Sequence, residues 1–151
     1  MPLLKKLGRV SQLNGTADIL INEDSDPVNY YLQRGDSGKV LFIEQDDDQI
    51  EIYLPTASDA GAGWHMNFII TAVPPSSAAM IQIHKNTNDS NNIHGVINVW
   101  DDDGNASDGT AKDDISFDNT TKIGDRVEIF CDGTKFYCYG DAATVGAVEF
   151  G

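Results

Sequence analysis

Four stretches of the chain alternate apolar and polar side chains with a period of two. Residues 49–54 place Ile50, Ile52 and Leu54 on one side and Gln49, Glu51 and Tyr53 on the other. Residues 64–73 place Trp64, Met66, Phe68 and Ile70 together, residues 80–84 place Ile81 and Ile83 together, and residues 126–131 set Val127, Ile129 and Cys131 against Arg126, Glu128 and Phe130. Successive side chains of a strand point to opposite faces, so this pattern predicts strands buried on one side. Residues 124–140 carry the strongest local signal. Two β-patterned runs are joined there by Asp132-Gly133, and these residue types tolerate the positive φ of a tight hairpin. A two-residue loop would set Cys131 opposite Thr134, Ile129 opposite Phe136 and Val127 opposite Cys138, with Val127, Ile129, Cys131, Phe136 and Cys138 on one buried face.

Shorter strand candidates lie at residues 16–22, 28–33, 39–44, 93–100, 115–118 and 145–150. Polar turns at 23–27, 35–38, 45–48, 74–77, 85–92 and 119–124 separate many of these runs, residues 55–63 read as a loop, and residues 101–114 read as a long acidic loop. The sum is about nine to eleven short strands, turn signals every 8–12 residues, and no helix. This predicts an all-β chain: an antiparallel β-sandwich or jelly-roll-like barrel over residues 16–151, preceded by an extended N-terminal arm, residues 1–15. No internal repeat is visible, and no linker beyond Gly15. In the arm, Leu3, Leu4, Leu7, Val10 and Leu13 follow no strand period, and Pro2, Gly8 and Gly15 oppose a helix. It reads as a segment ordered by packing on something else, with a frayed terminus as the alternative.

Charge sharpens this picture. The 151 residues carry a net charge of −14. Lys5, Lys6 and Arg9 lie in the arm, which has no acid, and all 24 acidic side chains lie beyond it. Such a body repels nucleic acid phosphates and anionic membranes, so neither is an expected partner. No run approaches the ~18–20 apolar residues of a membrane span, and the start lacks the apolar core of a secretory signal. In the expected register Cys131 and Cys138 are four ladder positions apart, roughly 13 Å. Two free, buried thiols are expected, which fits assembly in a reducing cytoplasm.

Candidate chemistry adds little. Counted from Asp101, the loop 101–112 has Asp103 and Asn105 where an EF-hand needs them, but Ala106 and Lys112 at the Gly and Glu positions. A calcium site of another kind on Asp101, Asp103 and Asp108 stays open beside a solvated loop. His65, His84 and His94 lie in separate strands with no zinc spacing and read as outward-facing; His84 and His94 flank a turn and could approach each other. The Gly35-Asp36-Ser37-Gly38 run is like the segment around a serine protease nucleophile, without the matching context. Trp64 and Trp100, with Tyr30, Tyr31, Tyr53, Tyr137 and Tyr139, could stack on sugars or serve as core and subunit contacts. No cofactor or metal is expected, and no catalytic residue is nominated.

Two segments together resemble the β-domains of tailed-bacteriophage virion surface proteins, a group that includes capsid decoration (cement) proteins, head fibres and tail-fibre tips. One segment is Leu54-Pro55, a small-residue loop through Gly61 and Gly63, then Trp64 and Phe68-Ile69-Ile70. The other is Gly124-Asp125, a strand, Asp132-Gly133-Thr134 and Phe136-Tyr137. The resemblance spans roughly residues 50–140. Phe136 stands where such domains often carry Trp, and no coiled-coil or collagen-like shaft precedes the domain. The resemblance implies a non-enzymatic homotrimer, made in the host cytoplasm and placed on the virion. A short basic-apolar arm fits a decoration protein that binds the outside of the major capsid protein lattice and cross-links capsomers. Leu3, Leu4, Lys5, Lys6, Leu7, Arg9 and Val10 would then be the capsid-contacting residues. The alternative is a fibre or spike tip domain that binds a host receptor or glycan.

Overall fold

The computed structural model of the chain describes residues 9–13, 17–22, 28–45, 49–77, 80–100 and 106–151. Thirteen strands form two sheets among them. The larger sheet holds, in spatial order, β1 (Arg9–Leu13), β2 (Ala17–Asn22), β4 (Val40–Gln45), β6 (Ala62–Ala72), β11 (Arg126–Asp132), β12 (Phe136–Ala142), β8 (Ile93–Val99) and β9 (Ala106–Lys112). The smaller holds β13 (Val148–Phe150), β10 (Asp114–Phe117), β7 (Ile81–His84), β5 (Ile50–Tyr53) and β3 (Val28–Tyr31). The fold is all-β, as the alternation predicts.

From β2 to β7 the chain passes from one sheet to the other at every step. Each strand's return leg therefore lies in the opposite sheet, and neighbours within a sheet run the same way. β2, β4 and β6 are mutually parallel, and so are β3, β5 and β7. The remainder pairs antiparallel, at β1–β2, β6–β11, β11–β12, β8–β9, β7–β10 and β10–β13, except that β12 runs parallel to β8. The expectation of a purely antiparallel sandwich is thus corrected: both sheets are mixed. Turn residues mark where a strand ends, but they are the same whether the chain folds back beside that strand or crosses to the other layer.

The alternating positions point as expected. Ile50, Ile52, Ile81, Ile83, Ile115 and Phe117 from the smaller sheet, with Leu54 just past β5, join Leu41, Ile43, Trp64, Met66, Phe68, Ile70, Val127 and Ile129 from the larger in one buried cluster. Trp64 is buried, donates its indole N–H to the Gln33 carbonyl at 3.2 Å and meets the Phe136 ring edge-on at 5.9 Å. Residues 55–63 are not only a loop. Helix α1 (Ala57–Ala60) lies there, with Thr56 Oγ1 accepting from the Asp59 amide at 3.1 Å and with Ala57 and Ala60 turned into the core.

Three further expectations are corrected. Three residues, 133–135, separate β11 from β12 where two were expected, and the turn sits further along the chain, so Cys131 pairs with Phe136, Ile129 with Cys138 and Val127 with Gly140. The shift is two residues, an even number, so the buried face keeps the expected members. It also makes Cys131 and Cys138 diagonal neighbours, on the order of 7–8 Å apart rather than 13 Å; both are free and buried. Within the acidic loop, residues 106–112 form β9, held by its ladder to β8. Finally, part of the expected arm belongs to the sheet: Arg9–Leu13 pairs antiparallel with β2 as Arg9↔Ile21 through Leu13↔Ala17.

Candidate binding face

Strands with one buried face present the alternate positions outward, and on the larger sheet these positions fall into cross-strand rows. One row is aromatic: His65 on β6, Phe130 on β11, Tyr137 on β12 and His94 on β8. His65 stacks on Phe130 at 6.0 Å, and His94 meets Tyr137 at 6.1 Å. The next row is polar: Asn67, Glu128 and Tyr139. The third joins Arg126, Asp141 and Asn98. Arg126 donates to Asp141 Oδ2 from Nε at 3.2 Å and from Nη2 at 3.1 Å, while Asn98 Nδ2 donates to Oδ1 at 3.4 Å.

Between these rows lies a hollow of about 110 Å³, lined by Asn67, Asn98, Arg126, Glu128, Tyr139 and Asp141. Tyr139 is 52% exposed and Phe130 36%, and their rings meet edge to face at 6.4 Å. The Glu128 carboxylate, the Asn67 side-chain amide and the Tyr139 hydroxyl make no hydrogen bond to any described residue, although Asn67 and Glu128 are half-buried. Beyond the aromatic row, at the other end of β11 and β12, the hairpin turn is held by Asp132. Its Oδ1 accepts from the Thr134 hydroxyl at 2.8 Å, the Thr134 amide at 2.8 Å and the Lys135 amide at 2.7 Å, and its Oδ2 accepts from the Tyr137 hydroxyl at 3.0 Å. These donors, Thr134 foremost, hold the carboxyl well below the usual carboxylate range.

The outer face of the smaller sheet is organised differently. Tyr31, Tyr53 and His84 stack in a ladder with centroids 4.9 and 5.0 Å apart, and Asp114 follows, 4.0 Å from His84 Nδ1. Burial, and then a hydrogen bond to Glu51 at 2.8 Å, push the Tyr53 hydroxyl up to about 12. Burial raises the Asp114 carboxyl against the opposing pull of His84. Tyr53 is stacked on both sides, while Tyr31 keeps an exposed outer face.

The remaining sequence candidates fall as follows. Leu3, Leu4, Lys5, Lys6 and Leu7 lie outside the described residues; Arg9 and Val10 sit in β1, paired with Ile21 and Leu20. Asp101 and Asp103 also lie outside, and Asp108 is a β9 residue paired with Val96. Among the described residues no group of three His, Cys, Asp or Glu could hold a metal ion, and no helix is long and apolar enough to cross a membrane. His84 and His94 do not approach each other, because their strands belong to different sheets. Ser37 does come to β6, but its hydroxyl accepts the backbone N–H of His65 at 3.2 Å, and the His65 ring faces the Gly63 carbonyl at 3.0 Å. That contact ties the turn to the strand without activating the hydroxyl. Burial raises both thiols, so neither is a ready nucleophile.

Of the aromatic candidates, Trp64 is core, Tyr31 and Tyr53 stack on each other, and Tyr137, Tyr139 and Trp100 face outward. Sequence reasoning did not single out Asn67, Asn98, Glu128 or Asp141. Their only signal was an outward position in a strand, which is shared by many solvated residues. Comparison with protein-family models, with curated proteins and with solved structures found no match to this chain.

Proposed function

We propose that this chain is a structural virion protein, a capsid decoration protein that binds the outside of the major capsid protein lattice and cross-links capsomers as a homotrimer. The reading rests on the resemblance of residues 50–140 together with one structural observation: four large apolar side chains are exposed at one end of the larger sheet. Val73 follows the end of β6, Trp100 the end of β8 and Val145 the end of β12, while Ile123 precedes the start of β11. Their ends coincide, since Gly124 N donates to Ile70 O at 2.9 Å and Trp100 N to Ala142 O at 3.0 Å. Trp100 is 77% exposed and Ile123 71%. Covering a side chain of this size is worth about 1.5–3 kcal/mol, and apolar groups gathered at one end of an acidic body support a docking role that single exposed residues would not. Many copies on a repeating lattice turn modest single contacts into lasting attachment. The acidic remainder keeps decorated particles apart.

The test is co-sedimentation with purified capsids lacking the protein, with light scattering to count subunits. The native chain is expected to pellet with capsids. A Trp100→Ala, Ile123→Ser double variant should lose at least about tenfold in affinity while staying folded, since ~1.4 kcal/mol suffices for that factor. Deleting residues 1–8, which leaves β1 in place, should weaken attachment as well. Native protein that stays in the supernatant sinks the proposal. A fibre or spike tip that binds a receptor or glycan is the second reading, favoured by the outward aromatic and polar rows on the larger sheet.

A further inference from the structure

We infer that the outer face of the larger sheet binds a neutral pyranose unit of a glycan, with the ring lying against Tyr139 and Phe130 and its hydroxyls met by Glu128, Asn67 and the Arg126–Asp141 pair. The inference stands whether the chain sits on a capsid or on a fibre.

Three observations carry it. First, the hollow places an open aromatic surface beside polar groups within one sugar's reach. A pyranose has an apolar C–H face that packs on aromatic rings and a rim of hydroxyls that both donate and accept. Tyr139 and Phe130 touch edge to face while His65 stacks on Phe130, so the open ring surface beside the hollow is chiefly that of Tyr139, with the Phe130 edge flanking it. Second, Glu128, Asn67 and the Tyr139 hydroxyl have no partner among the described residues, although they occupy adjacent positions on three central strands. An apolar protein surface laid over them would strand these groups at about 1–3 kcal/mol each. A second copy of the chain or a greasy partner therefore fits poorly, while a polyol satisfies them. Third, the charge is wrong for an anion. Arg126 already serves Asp141, and the Glu128 carboxylate is uncompensated. Sialylated, sulfated and uronic residues are disfavoured. A divalent cation such as calcium would want about 6–8 oxygen ligands, and the hollow holds one free carboxylate.

Saturation-transfer difference NMR on the full chain tests this. The probes are maltotriose, cellotriose, mannobiose, galactobiose and chitotriose at about 10 mM, a range that detects millimolar binding, with sialyllactose as the charged control. At least one neutral sugar should receive saturation at its ring C–H protons. Tyr139→Ala and Glu128→Gln should each reduce the signal by about tenfold with an unchanged circular dichroism spectrum. Should Tyr139→Ala not fold, the sugar-induced amide shifts of the native protein give the same answer. They should concentrate in β11 and β12. No transfer to any neutral sugar, transfer only to sialyllactose, transfer that survives Tyr139→Ala, or shifts centred elsewhere would each overturn the assignment. None of these results bears on capsid co-sedimentation, so the two proposals fail separately.

Discussion

At Gly95 a Cβ would lie 1.8 Å from the carbonyl oxygen of Cys138. β8 and β12 approach so closely there that only a hydrogen fits, and the pairing of β8 with β9 shifts register beside it. Gly95→Ala should therefore cost more than about 2 kcal/mol by forcing backbone apart, read as a lowered urea midpoint. Single polar residues are as particular. Asp125 is buried, and its two carboxylate oxygens accept from the Lys122 amide at 2.8 Å and the Ala143 amide at 2.9 Å. It thereby pins the turn before β11 to the end of β12. In the sequence Gly124 closes the polar turn 119–124, and Asp125 enters only with the resemblance. Its longer-range grip on Ala143 could not be read there, because nothing local marks a partner 18 positions away.

The hairpin of β11 and β12 shows the same limit at the level of the element. Alternation identified both strands and their buried face, but Asp-Gly alone suggested too short a loop. Asp132 instead acts through its side chain, holding Thr134 and Lys135 in the turn and tying it to Tyr137 on β12. Because its folded carboxyl titrates below the ordinary range, its stabilising contribution is present above that range and disappears as pH falls through the folded value. Asp132→Ala should lower the melting temperature at pH 7, and the gap from the native chain should close in strong acid. A gap that stays constant with pH would show that the carboxylate's charge contributes nothing. β9 marks the opposite failure. Its sequence, ASDGTAK, has almost no apolar alternation, and it is a strand because β8 offers it a ladder.

Across the whole molecule, one core joins both sheets, so the two should melt together. Phe68 is fully buried on β6, in the middle of the larger sheet. Phe68→Ala should cost about 3–5 kcal/mol, a large share of the roughly 5–15 kcal/mol that holds a domain of this kind together. Fluorescence of the buried Trp64 and far-ultraviolet circular dichroism should then report one coincident transition at a lower temperature. Two separated transitions would mean that the sheets fold as independent layers.

Side-chain periodicity settled the central strands and which of their faces are buried, though not β1 or β9, because burial of alternate apolar groups is written locally in the residues themselves. It also settled the excess of acid that bears on partners. Pairing was another matter. The coil from β2 to β7 joins strands through spacings that differ at every turn, such as Ala17 to Val40 and then Val40 to Asn67, so no repeat is visible in the residues. Which strand lies beside which, and hence which outward side chains share a row, was decided when two layers closed over a common core. The hollow beside Tyr139 and Glu128 exists only because β6, β11, β12 and β8 became neighbours. That adjacency is a property of the packed sheets, and no single segment carries it.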